Sequence, residues 1–218
     1  MDVRIDGRGA IITGGSRGLG RAMAMRFAES GAGVAIVARR EDVLAATKKE
    51  VEAAAPTATV ITCAADVSTA DGVKSAFDQA INGLGQIDIV VNNAGSSLAR
   101  PFEYVTDEMW HDDLELKLFG AIRMIRLALP GMKERGWGRI INTLNTGAKS
   151  PCAGSMPTTV SRGAGLNLTK SLSLVNAMCT GLIVTDQLEK MRDQGGPELV
   201  KLLCDHPEKP VKATPRQP

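Results

Sequence analysis

The sequence is poor in aromatics: two tryptophans, four phenylalanines and one tyrosine, Tyr104. Stacking platforms for single-stranded nucleic acid need more of them. It also lacks a charge excess. The 26 basic residues face 24 acidic ones, which removes the argument for nucleic acid or an anionic membrane as partner. His111 and His206 are the only histidines, and neither has a partner at metal-ligand spacing. Cys63, Cys152, Cys179 and Cys204 form no CxxC or Cys/His pattern. They read as free thiols of a reducing compartment, not as zinc ligands. No apolar run approaches ~18 residues, and the first residues show no signal-peptide pattern. These absences predict a soluble, cytoplasmic protein with no nucleic acid, membrane or metal among its partners.

What is present is a glycine-rich stretch, Ala10-Ile11-Ile12-Thr13-Gly14-Gly15-Ser16-Arg17-Gly18-Leu19-Gly20. Ala10 to Ile12 read as a short buried strand, and Gly18 to Ser30 as a helix. Strand, glycine turn and helix start together hold a dinucleotide pyrophosphate. Backbone N–H groups and the helix dipole favour the phosphate charge, and glycines let the backbone approach it. The bland alternative is an ordinary strand-to-helix turn, but the position soon after the start of the chain favours the nucleotide.

The 218 residues suit one domain. Apolar runs and amphipathic stretches alternate along them. Val34–Ala38, Thr59–Cys63 and Ile87–Val91 read as strands; Glu41–Ala55 and Ala70–Gly83 read as helices. The runs are continuous and β-branched, as in parallel strands covered on both faces. Thr106 caps a long helix from Asp107 to about Arg135, kinked or ended at Pro130. Gly138–Thr143 is a fifth strand, Pro157–Ser173 a helix and Leu174–Met178 a sixth strand. The pattern predicts an α/β fold with a doubly wound parallel sheet, a Rossmann fold in three layers, αβα. No polar turn separates the last helix from the last strand. Either that helix ends early or residues are absent between Ser173 and Val175. Asp205 to Pro218 carries four prolines and reads as a mobile end without a strand.

Arg39 and Arg40 follow the second strand, about 20 residues past the glycine loop. An acid there would bind the 2′-hydroxyl of NAD; an arginine suits the 2′-phosphate of NADP. Arg17, inside the loop, can clamp the same phosphate. The alternative is a pair of solvated charges at a helix start. Asp66-Val67 follows the third strand, where Asp66 either accepts from the adenine amino group or caps the next helix. Asn92-Asn93-Ala94-Gly95 follows the fourth, where small residues either let a cofactor pass or form a bare turn.

Thr13 to Gly20 matches the TGxxxGxG loop of the short-chain dehydrogenase/reductase family, which the chain resembles. Asp66-Val67, Asn92 to Gly95, Gly138 to Asn142, Leu168 to Leu172 and Val175 to Ala177 extend the match to about residue 187. The resemblance is closest to NADP-dependent reductases of the 3-oxoacyl-carrier-protein type. It implies NADP as cofactor, held by Gly14, Ser16, Arg17, Gly18, Leu19, Gly20, Arg39, Asp66, Val67, Asn93, Ala94, Gly95, Arg162 and Ile183. It also implies a small carbonyl or alcohol substrate, and a homo-oligomer, dimer or tetramer.

The same resemblance breaks at the catalytic positions. Aligned on Leu168-Thr169-Lys170, the family's proton-donating tyrosine falls on Thr158 and its lysine on Arg162. The carbonyl-polarising serine falls on Asn145, and the asparagine that holds a relay water falls on Lys117. Tyr104 is the only tyrosine, so no register restores the motif. Threonine is a far weaker acid than phenol, and arginine stays protonated. Asn145 can donate to a carbonyl oxygen. Tyr104 and Ser161 are the remaining candidate donors. Residues 1–186 are expected to form the dinucleotide-binding domain and 187–218 a variable segment, with Gln187–Leu203 as a helix over the substrate. Nothing after Asp186 matches the family well, so the resemblance implies a sheet without the family's last strand, whose neighbouring edge would be bare unless a partner chain covers it. The expected function is NADP-dependent reduction of a carbonyl at an atypical site. The alternatives are an inactive NADP-binding pseudoenzyme or regulatory subunit, and a truncated product.

Overall fold

The computed structural model describes residues 3–172 and the strand segments 175–180, 183–184 and 211–212. Strands and helices alternate as expected. They are β1 (Gly9–Thr13), α1 (Gly18–Glu29), β2 (Gly33–Ala38), α2 (Glu41–Ala54), β3 (Val60–Ala64), α3 (Ala70–Leu84) and β4 (Ile89–Asn92). A two-residue strand β5 (Ala99–Arg100) then leads to α4 (Asp107–Leu114) and α5 (Gly120–Glu134). After these come β6 (Arg139–Asn145), β7 (Met156–Pro157), α6 (Thr158–Ser171), β8 (Val175–Thr180), β9 (Ile183–Val184) and β10 (Val211–Lys212).

Six strands form one parallel sheet in the order β3-β2-β1-β4-β6-β8. The strand order reverses between β1 and β4, so a crevice opens at their carboxyl ends. Successive residues of β1 face opposite sides. Ile11 packs with Val73, Ala76, Met124 and Ile140, on the side of α3 and α5. Ala10 and Ile12 pack with Ala24, Leu44 and Val51, on the side of α1 and α2. Helices therefore cover both faces, which is why the strand runs are apolar throughout.

Buried polar groups tie the layers together. Asp88, fully buried, accepts from Gly9 N at 3.1 Å, Gln86 Nε2 at 3.0 Å and Arg135 Nε at 3.2 Å. Arg8 pairs with it at 3.8 Å and stacks its guanidinium 3.9 Å from the Trp137 ring centre. Nearer the carboxyl ends, Asn92 donates to Asn142, and Asn142 donates to Thr169 Oγ1, linking β4, β6 and α6.

Several expectations need correction. Pro130 does not end the long helix: α5 runs through it to Glu134, with Ala128 and Met132 on either side held in the core. The irregularity comes earlier, as a π-helical turn over Glu115–Phe119. Thr69, not Asp66, caps α3, accepting from Gly72 N at 3.0 Å. The end of the chain does hold a strand, since β10 pairs parallel with β9 over two residues. So short a pairing, set among prolines, leaves no periodic signal in sequence. The last helix ends at Ser171, earlier than its composition suggested. Residues 173–174 and the expected helix at 187–203 lie outside the described residues.

Asp88→Ala removes the acceptor for Gly9 N at the heart of the sheet. It is expected to lower the unfolding free energy by about 1–3 kcal/mol, read from the midpoint of urea denaturation.

Candidate functional site

The crevice is built on a clasp between the glycine loop and the turn after β4. Thr13 Oγ1 accepts from Asn93 N and Ala94 N, both at 3.0 Å. Asn93 Nδ2 returns hydrogen bonds to Thr13 O at 3.1 Å and Gly14 O at 3.2 Å. Gly14 takes φ +64°, and a Cβ on it would lie 2.9 Å from Ala94 Cα. A Cβ on Gly20 would lie 2.3 Å from Gly14 O, so the first turn of α1 seats directly on the loop. Arg17 precedes that turn in an extended conformation and no side chain caps it. The first N–H groups of α1 are left open to an anion.

A groove of about 570 Å³ runs over this clasp. Gly14, Ser16 and Arg17 line it from the loop, Arg39 from beyond β2, Asp66 and Val67 from beyond β3, and Ala94 and Gly95 from beyond β4. The structure thus brings these eight expected cofactor contacts into one wall. Gly18, Leu19 and Gly20 form the start of α1, and Asn93 braces the loop from behind. Ile183 lies in β9, and its side chain falls outside the described residues. Arg17 has no carboxylate partner among the described residues, and Arg39 makes no hydrogen bond there. Arg40, exposed, reaches Asp42 at 3.4 Å. Burial acts to raise the pKa of the Asp66 carboxyl. The Ser68 N–H and hydroxyl at 3.0 and 2.8 Å, with the nearby charge of Arg39, outweigh burial and leave it below the usual value.

Beyond Gly95, Lys117 and Thr158 meet in the interior, Arg162 lies beside Gly95, and Asn145 stands half-buried at the end of β6. Lys117 sits in the π turn, its side chain 1% exposed. Arg123 holds this turn against the segment after β3, donating to Glu115 Oε2 at 2.6 Å and Ser68 O at 3.1 Å. Lys117 Nζ donates to Asp113 Oδ1 and, at 2.8 Å, to Thr158 Oγ1. Ser161 Oγ donates to Asp113 Oδ2 at 2.5 Å. Arg162 donates through Nη1 to Thr143 O, and its Nη2 lies 2.7 Å from where a Cβ on Gly95 would stand. Burial pushes the Lys117 ammonium down to about 8, Asp113 opposes that fall and Arg162 adds to it. Burial lowers Arg162 as well, against the pull of Asp113.

Among the described residues, three buried side-chain atoms have no hydrogen-bond partner: Thr143 Oγ1, Asn145 Oδ1 and Arg162 Nε. Thr143 and Asn145 lie at the carboxyl end of β6, and Arg162 reaches that end from α6 through Thr143 O. Unpaired buried polar groups are rare in folded proteins and mark a place where a ligand or water belongs. Asp113 escaped the sequence reading. The four-residue spacing of Asp113 and Lys117 was visible, yet such pairs usually sit on helix surfaces. Tyr104 is 64% exposed in the short helical turn Phe102–Tyr104 and takes no part in this network. Ser161, fully buried, is committed to Asp113.

The family profile described as short chain dehydrogenase matches residues 8–195. The chain belongs to the short-chain dehydrogenase family. A Streptomyces coelicolor chain provisionally named a ketoacyl reductase is 32% identical over 198 residues, covering 86% of this chain and 75% of the other. The L-sorbose reductase of Gluconobacter frateurii, solved with NADPH and L-sorbose, is 32% identical with a TM-score of 0.84. That match covers 93% of this chain and 81% of the reductase. A 7α-hydroxysteroid dehydrogenase solved with NADH and a 7-oxo bile acid is 26% identical with a TM-score of 0.87, covering 97% and 84%. This short-chain dehydrogenase is thus a member of an oxidoreductase family that binds a nicotinamide cofactor. No helix among the described residues is long and apolar enough to cross a membrane.

Removing Asp113 leaves the buried Lys117 ammonium without its carboxylate. Asp113→Ala is expected to lower the unfolding free energy by about 3–5 kcal/mol. The double substitution Asp113→Asn with Lys117→Met should recover a good part of that loss in the same urea denaturation.

Proposed function

We propose that this short-chain dehydrogenase binds NADP and reduces a carbonyl of modest size by hydride transfer. Thr158, Arg162, Asn145 and Lys117 stand at its catalytic positions. The observation that carries the cofactor half is the pair Arg17 and Arg39. Both residues line the groove beside the open start of α1, and among the described residues no carboxylate is hydrogen-bonded to either. That arrangement suits a pyrophosphate together with a 2′-phosphate, for which the planar guanidinium fork is well shaped. The cradle at Gly14, which any side chain would fill, fits the same group. NADPH in the sorbose reductase agrees with this reading, while NADH in the hydroxysteroid dehydrogenase leaves the choice to the arginines.

The bound nicotinamide supplies the hydride. Asn145 offers an amide donor to the carbonyl oxygen, and Arg162 and Lys117 hold positive charge where that oxygen becomes negative. The exposed apolar side chains of Phe119 and Val160 support a homo-oligomer, dimer or tetramer, and the free thiols of Cys63 and Cys152 a cytoplasmic location. A second reading, cofactor binding without turnover, draws on one observation: the only tyrosine is exposed and makes no hydrogen bond to the buried network.

The two readings separate on a fluorescence titration with NADPH, run beside NADPH oxidation with ketones and 3-oxoacyl thioesters. Binding with turnover is the expected result. Binding without turnover selects the second reading, and absent binding overturns both. Arg39→Ala is expected to weaken NADPH binding by about 1.5–3 kcal/mol, roughly 10- to 150-fold, and to leave NADH binding nearly unchanged.

A further inference from the structure

Thr158 is bound in an unusual way. Its Oγ1 accepts from Lys117 Nζ at 2.8 Å and from Leu98 N at 3.2 Å. A hydroxyl oxygen has two acceptor sites and one proton to give. Both acceptor sites are taken, so the proton of Thr158 is free to be given, and no described residue accepts it. The main chain fixes this geometry. β5 pairs with β7 antiparallel, with Ala99 opposite Pro157 and Arg100 opposite Met156, and this brings Leu98 N to the first residue of α6. From the other side, the π turn delivers the Lys117 ammonium.

The charge balance points the same way. Two cations, Lys117 and Arg162, share the single carboxylate of Asp113. One positive charge is left over in a buried setting, which favours both a negative oxygen nearby and the departure of a proton from Lys117.

We propose that Thr158 hands the proton to the substrate oxygen and that Lys117 resupplies Thr158 through the hydrogen bond between them, a two-residue donor in place of a single phenol. This rests on the carbonyl-reductase reading. The carbonyl carbon gains a hydride with its electron pair from the reduced nicotinamide, which is thereby oxidised, and the C=O π bond opens onto oxygen. As that oxygen takes the Thr158 proton, Thr158 Oγ takes one from Lys117 Nζ. No threonine alkoxide forms, so the weak acidity of the hydroxyl does not limit the step. Lys117 is left as a neutral amine beside Asp113, and the cluster becomes electrically neutral with Arg162. Between turnovers Lys117 takes its proton back from water. The groove reaches Asp112 and Leu116, the residues just before Asp113 and Lys117. In this scheme Thr158 is catalytic and Lys117 acts through it.

The test uses the full chain and begins without cofactor. With lysine labelled at 13Cε, the Lys117 resonance should titrate near pH 8, and Thr158→Val should move that titration lower, since the hydroxyl oxygen no longer accepts from the ammonium. A Lys117 signal that titrates in the ordinary lysine range overturns the proposal without reference to turnover. With NADPH and a reducible ketone or 3-oxoacyl thioester, kcat should fall as pH rises through about 8, because the proton-giving form of Lys117 is the protonated one. Thr158→Val should lower kcat by roughly 100-fold or more with NADPH binding by fluorescence unchanged. Thr158→Ser keeps the hydroxyl and should restore most of the rate. Asp113→Asn with Lys117→Met should abolish the pH dependence. If Thr158→Val turns over normally with an unchanged pH profile, the proposal fails and the reductase reading stands. If the wild-type chain binds NADPH but reduces no carbonyl, the reductase reading fails and takes the proposal with it.

Discussion

The carboxylate of Asp113 is the charge on which the buried network beyond Gly95 depends. It accepts from Lys117 and Ser161 and attracts Arg162, so groups from the π turn and α6 converge on this residue of α4. A charge buried so deeply is tolerable only when it is paired and hydrogen-bonded. The pairing is incomplete by one positive charge. Burial is the main force that lowers the Lys117 ammonium to about 8, Asp113 works against it, and the second cation, Arg162, adds to the fall.

The backbone makes this cluster possible through two local irregularities. The π turn over Glu115–Phe119 interrupts an otherwise regular helix and points Lys117 inward; such turns are enriched at functional sites. The short clip of β5 on β7 carries Leu98 to Thr158. Around them the regular fold supplies only the frame: parallel strands whose carboxyl ends present loops to one crevice, with Thr13 and Asn93 locking the glycine loop to its neighbour.

Much of that frame was legible in the sequence because it is encoded locally. Continuous apolar runs such as Ala10–Ile12 and Val34–Ala38 give buried parallel strands, and Thr13 to Gly20 gives the loop by composition. The place of Arg39 on the groove was legible because it follows directly from the end of β2. The buried network was harder to see. Asp113 and Lys117 look like a surface pair at helical spacing, and only the packing of α6 against them puts both inside. Thr158 and Lys117 are far apart in the chain, so the hydrogen bond that joins them has no sequence signature. Pro130 as a helix end misled in the opposite sense, since local propensity yields where flanking residues are firmly packed.

Asp88, at the opposite end of the sheet, has a consequence for how the chain finds its fold. Apart from Thr13 and Asn92 at their carboxyl ends, β1, β2 and β4 are short runs of isoleucine, valine, alanine and glycine, joined by helical crossovers and not by tight turns that would set their alignment. Sliding β4 past β1 by two residues keeps the same faces inward and exchanges one aliphatic side chain for another. The hydrocarbon core therefore discriminates poorly between such alignments. A buried carboxylate that must meet Gly9 N, Gln86, Arg8 and Arg135 at once is satisfied in one of them. Asp88 thus acts as a register pin, selecting one strand alignment by the penalty that an unpaired charge imposes on the others.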